Sequence, residues 1–197
     1  EGGQTLADFG VNAIWVGSGG LNAEKIERYR RQGVRVFAEF NSMHAADFLK
    51  QQPEAAPIGP DGQPSPPPSG WQGVSPFHAG YRQARMAEFR RVLSTFEIDG
   101  IWLDYHHAQA SWEQAEPKLP DTDFSPAALQ QFSATTGIDL PAETAAAAKL
   151  LLGPQRDAWT NFRCDVFTDW VREYRAIVNE VRPRALLGTF HCPWPPE

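Results

Sequence analysis

Ile98-Asp99-Gly100-Ile101-Trp102-Leu103-Asp104-Tyr105-His106-His107 is the stretch on which the reading of this 197-residue sequence turns. An Asp-Gly turn leads into a short apolar run, and the run ends in a carboxylate, a phenol and two imidazoles. A short apolar run bounded by turn residues reads as a buried strand. In parallel α/β proteins the C-terminal ends of such strands open into the crevice where ligands bind. Asp104 therefore stands at the end where chemistry is done. Asp99 stands at the opposite end, which serves stability, and reads as a turn residue.

Upstream, Val11 to Val16 is another short apolar run, followed by Gly17-Ser18-Gly19-Gly20. The glycines lack the spacing of a dinucleotide fingerprint and read as a tight turn. Asn22 then caps a helix, with Leu21 and Ile26 placed as a hydrophobic staple, and Gly33 ends it. Val34 to Phe40 follows as a strand. Strand, helix and strand within about thirty residues make a βαβ unit with parallel strands. Alternation along the second strand turns Val34, Val36, Ala38 and Phe40 towards the helices. Phe37, Glu39 and Asn41 face the other way, which places Glu39 inward near the strand's C-terminal end.

Residues 53 to 70 are rich in Pro, Gly and Ser. Pro60-Asp61-Gly62-Gln63 has the signature of a hairpin turn, so the segment reads as a binding loop rather than a tether. Residues 71 to 76 could hold a strand. A helix from Ala79 to Phe96 carries Met86, Phe89, Leu93 and Phe96 on one face. Beyond the opening stretch, Asp121 and Asp123 read as solvated loop and helix-start charges. Ser125-Pro126 starts a helix that Gly137 ends. The Ala run from Ala145 is helical, and an amphipathic helix spans Gln155 to Val181 until Pro183 stops it. Ala185 to Phe190 is a last strand.

All five histidines (His44, His78, His106, His107 and His191) fall just after expected strands, where a parallel fold would gather them on one face. The net charge of −6 disfavours a nucleic-acid or anionic-membrane partner. No apolar run is long enough for a transmembrane helix. The two cysteines, Cys164 and Cys192, match no metal spacing. No internal repeat is found.

Alternating strands and helices give an α/β fold with a parallel sheet, expected as a single domain over residues 1–197. Two architectures fit. One is a doubly wound open sheet of about five strands, and the other is a (β/α)8 TIM barrel, which usually takes about 250 residues. With five expected strands, a barrel would be represented by its first five βα units. The start at Glu1 without Met and the stop after the fifth strand agree with a fragment.

Asp99 to Tyr105 resembles the fourth strand of glycoside-hydrolase-like TIM barrels, including bacterial families of hypothetical glycosyl hydrolases, in which that strand reads DG-apolar-x-apolar-DY. Val34 to Asn41 is similar to their second strand. Gln52-Pro53-Glu54 followed by Gly59-Pro60-Asp61-Gly62 resembles their "HP-acid … DG" loop. Ser75-Pro76 before Tyr81-Arg82 resembles the segment leading into their third helix. The chain departs from the pattern at Gln52, where His is usual, and at residues 122–125, where relatives often carry cysteine.

The resemblance implies a glycoside hydrolase. Such enzymes use two carboxyl groups, one attacking or activating water and one protonating the leaving oxygen. Asp104 is the expected nucleophile. Glu39 is the first candidate for its partner by strand phase, Glu113 is the next, and the acid/base could also lie on strands outside this chain. Tyr105, His106, His107 and His191 would bind sugar hydroxyls or tune Asp104, and His44 joins them as a substrate-binding candidate. Trp15, Trp71, Trp112 and Trp194 would offer stacking faces to a pyranose. The expected partner is a carbohydrate substrate, with no cofactor and no metal. Two other functions remain open: a metal-dependent hydrolase built on the histidines and Asp104, and a non-catalytic carbohydrate-binding barrel.

Overall fold

Four parallel strands carry the fold: β1 (Ala13–Gly17), β2 (Arg35–Asn41), β3 (Gly100–Asp104) and β4 (Leu186–Thr189), hydrogen-bonded in the order of the chain. The computed structural model describes residues 3–67, 73–108, 110 and 118–190. Between the strands lie α1 (Ala23–Arg31), α2 (Ala46–Gln51), α3 (Ala79–Thr95), α4 (Pro126–Thr136), α5 (Thr144–Leu152) and α6 (Arg156–Val181). No helix among the described residues is long and apolar enough to cross a membrane.

Local chemistry explains the element ends. The Asn22 side chain accepts from Lys25 N at 3.2 Å to cap α1, and Ser125 Oγ accepts from Ala128 N at 3.3 Å to cap α4, with Pro126 at its first position. Gly33 and Gly137 take left-handed φ values of 74° and 72°, where a side chain would be strained. Of the stretch at residues 71–76, residues 71 and 72 lie outside the described residues; residues 73–76 form no strand of the sheet, and Gly73 makes an isolated antiparallel bridge with His44. Among the described residues Asp104 therefore ends the third strand of the sheet rather than the fourth, and the strands number four, not five.

The chain forms two compact units from interleaved segments. One comprises Glu1–Ser42, Arg85–His106 and Arg172–Glu197, and the other Met43–Ala84 and His107–Val171. The first holds the sheet. Its apolar outer residues Val36, Ala38, Phe40, Ile101 and Leu103 are buried. Phe40 meets Phe89 of α3 edge-on at 5.1 Å and Tyr174 of α6 at 5.9 Å. Apolar burial of this kind supplies the main driving force for folding.

The inner face carries a different set. Trp15 stacks on Phe37 at 5.0 Å, and Trp102 meets both rings edge-on at 5.7 and 5.3 Å. Edge-to-face packing of this kind suits the ring quadrupoles. Two glycines make room for the cluster. A Cβ on Gly188 would lie 2.2 Å from the Trp102 ring, and one on Gly100 would lie 2.7 Å from the Leu186 carbonyl oxygen.

The second unit holds the loop after β2. Gly59 N donates to Gln63 O at 2.8 Å, Ile58 bridges Pro64, and Gly62 takes a φ of 78°, so the Asp61-Gly62 turn forms the hairpin its sequence predicts. In the same unit Phe124, Phe132, Trp159 and Phe162 pack together, with Phe124 stacked on Trp159 at 5.5 Å.

Candidate active site

The inner face of the sheet is layered by its register. Trp15, Phe37, Gly100 and Leu186 share one level, and Gly17, Glu39, Trp102 and Gly188 share the next inward-facing level. Asn41 and Asp104 pair at the C-terminal end. The levels thus run from packed aromatics at the bottom to polar groups at the top.

Parallel pairing of β2 with β3 brings two carboxyl groups together. Glu39 and Asp104 are two register positions apart on the same inward face. Hydrogen bonding to Asp104, burial and the adjacent negative charge hold the Glu39 carboxyl above its ordinary range. Asp104 is fixed from its other side. Its Oδ1 accepts from the amide of Tyr105 at 2.9 Å, and its carbonyl accepts from Ser42 N at 2.8 Å. Tyr105 adopts φ 51°, a left-handed conformation that costs a non-glycine residue about 1–3 kcal/mol. The chain therefore turns sharply at the residue after the carboxylate.

His106 follows one residue later. Its Nδ1 is hydrogen-bonded to Ser42 Oγ at 2.9 Å, and Ser42 Oγ lies 3.4 Å from the Tyr174 hydroxyl. Ser42 is completely buried, so it orients the imidazole from within the core. Sequence reasoning missed Ser42 and Tyr174 as supports for this ring. Asn41, level with Asp104, was in view through strand phase but was not counted in the site.

The other candidates separate. Trp15 lies four register positions below Asp104, about 13 Å along the strand. It packs in the aromatic layer below the sheet's C-terminal end and is 44% exposed. His44 and His107 belong to the second unit, where His107 Nδ1 is hydrogen-bonded to the Ala108 carbonyl at 2.6 Å. His78 follows no strand. Its Nδ1 accepts from Tyr81 N at 3.1 Å and caps α3. Trp71, Trp112, Glu113, His191 and Trp194 lie outside the described residues. Among the described residues no group of three or more His, Cys, Asp or Glu side chains converges on a point that could hold a metal ion.

Asp123 is a further correction. It is 3% exposed, not solvated. Its Oδ1 accepts from Ile58 N at 2.7 Å and Ser125 N at 3.0 Å, and its Oδ2 accepts from the Ser75 and Ser125 hydroxyls. Burial pushes this carboxyl up, and the four donors offset part of that rise. Asp123 thus ties the hairpin loop to the start of α4.

A parallel sheet with alternating helices and a carboxylate at a strand's C-terminal end is the construction of a (β/α)8 barrel, and the chain has the fold of part of one. Solved structures of similar fold include glycosidases. An α-L-fucosidase, isoenzyme 2 from Paenibacillus thiaminolyticus, matches with a TM-score of 0.57 and 14% identity over 85% of this chain and 22% of its own. The PgaB (BpsB) glycoside hydrolase domain from Bordetella bronchiseptica matches with a TM-score of 0.57 and 18% identity over 82% of this chain and 43% of its own. A β-galactosidase from the psychrophilic Marinomonas ef1 matches with a TM-score of 0.61 and 11% identity over 93% of this chain and 33% of its own. The chain thus spans less than half the length of each of these relatives. No family model and no curated protein matches it.

Proposed function

We propose that the chain supplies part of the active-site face of a glycoside hydrolase, with Asp104 as the carboxylate that attacks the anomeric carbon of a carbohydrate substrate. The observation that carries this reading is the place of Asp104. It ends an inward-facing strand of a barrel segment, held by the Tyr105 amide, with a second inward carboxyl two register positions away. The glycosidase names of the structural neighbours support the substrate class. Tyr105 and His106 stand next to the carboxylate in the chain and would hold sugar hydroxyls, with Ser42 setting the imidazole's orientation. His44, His107, His191, Trp71, Trp112 and Trp194 remain proposed contacts to sugar rings and hydroxyls. Trp15, lower in the sheet and partly exposed, also remains a proposed stacking face. Carboxylate chemistry of this kind needs no cofactor.

One observation favours a second reading, a carbohydrate-binding barrel without catalysis: the inward carboxyl beside Asp104, that of Glu39, lies on the adjacent strand only two register positions away. A panel of aryl glycosides separates the two readings. The full-length protein is expected to release the aryl group from at least one α- or β-glycoside. Saturable sugar binding with no release across the panel would favour the binding module.

A further inference from the structure

We propose that Ser42 is a positioning residue of the candidate active site: its buried hydroxyl, backed by Tyr174, fixes His106 as the tautomer whose Nε2 carries the proton, a donor for a sugar oxygen at the Asp104 end of the sheet. The inference rests on the reading of Asp104 as the catalytic carboxylate for the substrate class alone. Ser42 is the first residue after β2, and it meets the end of β3 twice. Its amide donates to the Asp104 carbonyl at 2.8 Å, and its Oγ lies 2.9 Å from His106 Nδ1. Between those two points stands Tyr105, at φ 51°. A left-handed conformation at a residue with a side chain persists only where the surroundings over-determine it. Ser42 supplies two such ties, one on each side of the sharp turn that follows the carboxylate.

Donor and acceptor strengths set the tautomer. The Tyr174 hydroxyl lies 3.4 Å from Ser42 Oγ, and each hydroxyl has a single proton to give. An imidazole nitrogen is a better acceptor than a phenol oxygen, and a phenol is a stronger donor than an alcohol. Ser42 therefore donates to His106 Nδ1, and Tyr174 donates to Ser42. A neutral imidazole that accepts at Nδ1 carries its proton on Nε2. The distances rank the two links. A separation of 2.9 Å is an ordinary hydrogen bond and 3.4 Å is long for two oxygens, so Ser42 carries most of the effect. Both hydroxyl residues are held from within the core. Ser42 and Tyr174 are fully buried, and the Phe89 ring lies 4.5 Å from that of Tyr174. Arg85 donates to the Asn41 carbonyl at 2.6 Å and lies over the Phe40 ring, which fixes the backbone leading into Ser42.

Long-range 1H–15N NMR of the full-length protein, labelled in histidine, reads the tautomer without any assay of activity. The His106 signals, assigned by their loss in His106→Gln, are expected to show a single Nε2–H form at alkaline pH. Ser42→Ala keeps the amide bond to Asp104 and removes only the hydroxyl. It is expected to give a mixture with the Nδ1–H form, whereas Tyr174→Phe is expected to keep the Nε2–H form. Kinetics on an aryl glycoside that the protein hydrolyses give the second readout. Ser42→Ala is expected to lower kcat/KM about 10–100-fold, as loss of the hydrogen bond behind a site imidazole does. Tyr174→Phe is expected to lower it at most about tenfold. In a series of monodeoxy aryl glycosides the Ser42→Ala loss should disappear for the one that lacks the oxygen His106 meets, because the donor then has no acceptor to serve.

An Nδ1–H form in the wild type would overturn the proposal, and so would a Ser42→Ala spectrum equal to that of the wild type. An equal loss on every deoxy glycoside would also overturn it, because Ser42 would then support the fold and not the donor. A wild-type protein with no hydrolysis would overturn the reading of Asp104 instead, and the tautomers of wild type and Ser42→Ala would still decide whether Ser42 sets the imidazole.

Discussion

Asp104→Asn is expected to remove hydrolysis by the full-length protein while leaving its fold standing. The loss in kcat/KM should reach about 10⁴-fold or more, roughly 5 kcal/mol of transition-state stabilisation. An amide of the same shape can still accept the Tyr105 N–H and meet Glu39, so the local geometry survives. The charge proposed to attack the anomeric carbon does not. Stability should move the other way from activity. A folded-state Glu39 value raised above the unfolded one means that the folded protein binds more protons between the two values. Stability contributed at low pH is therefore lost as pH rises through that window. Asp104→Asn takes away the neighbouring charge that raises Glu39, so its unfolding midpoint in urea should depend less on pH there than that of the wild type. Activity within tenfold of wild type would remove Asp104 from the chemistry.

The second large effect is structural and lies in the other unit. Asp123→Ala is expected to cost about 3–5 kcal/mol, read from urea unfolding at neutral pH. The deletion leaves two buried amides, Ile58 N and Ser125 N, without their acceptor, and each buried unsatisfied donor costs about 1–3 kcal/mol. The Ser75 and Ser125 hydroxyls lose the same partner but can rotate to other acceptors. Asp123→Asn keeps an acceptor oxygen for the two amides and removes a charge that burial disfavours. Its cost should be about 1 kcal/mol or less. Equal costs for the two variants would mean that the charge, and not the acceptor geometry, holds the hairpin loop against α4.

The contrast between these two carboxylates marks what the sequence could convey. Strand phase is local, so the inward turn of Phe37, Glu39 and Asn41 and the outward turn of Val36 and Phe40 could be read from alternation alone. Helix caps are local too, and Asn22 and Ser125 cap the helices they precede in the sequence. The burial of Asp123 is not local. Its donors come from Ile58 and Ser75, which are 65 and 48 residues away, and nothing in Asp121-Thr122-Asp123 signals them. The same limit hid how near Glu39 and Asp104 stand. Each could be placed on the inner face, but their spacing depends on the register between β2 and β3, which the 58 intervening residues (42–99) do not encode. Residues 73–76 misled because a short run after a Trp reads as a strand whether or not a neighbour is there to pair with it.

Covalent trapping tests the central claim most directly. The full-length protein would be incubated with the 2-deoxy-2-fluoro analogue of an aryl glycoside it hydrolyses, and its peptides mapped by mass spectrometry. The expected result is one sugar adduct per chain, on Asp104, absent from Asp104→Asn. An adduct on a different carboxylate, or full hydrolysis with no adduct, would contradict Asp104 as the nucleophile.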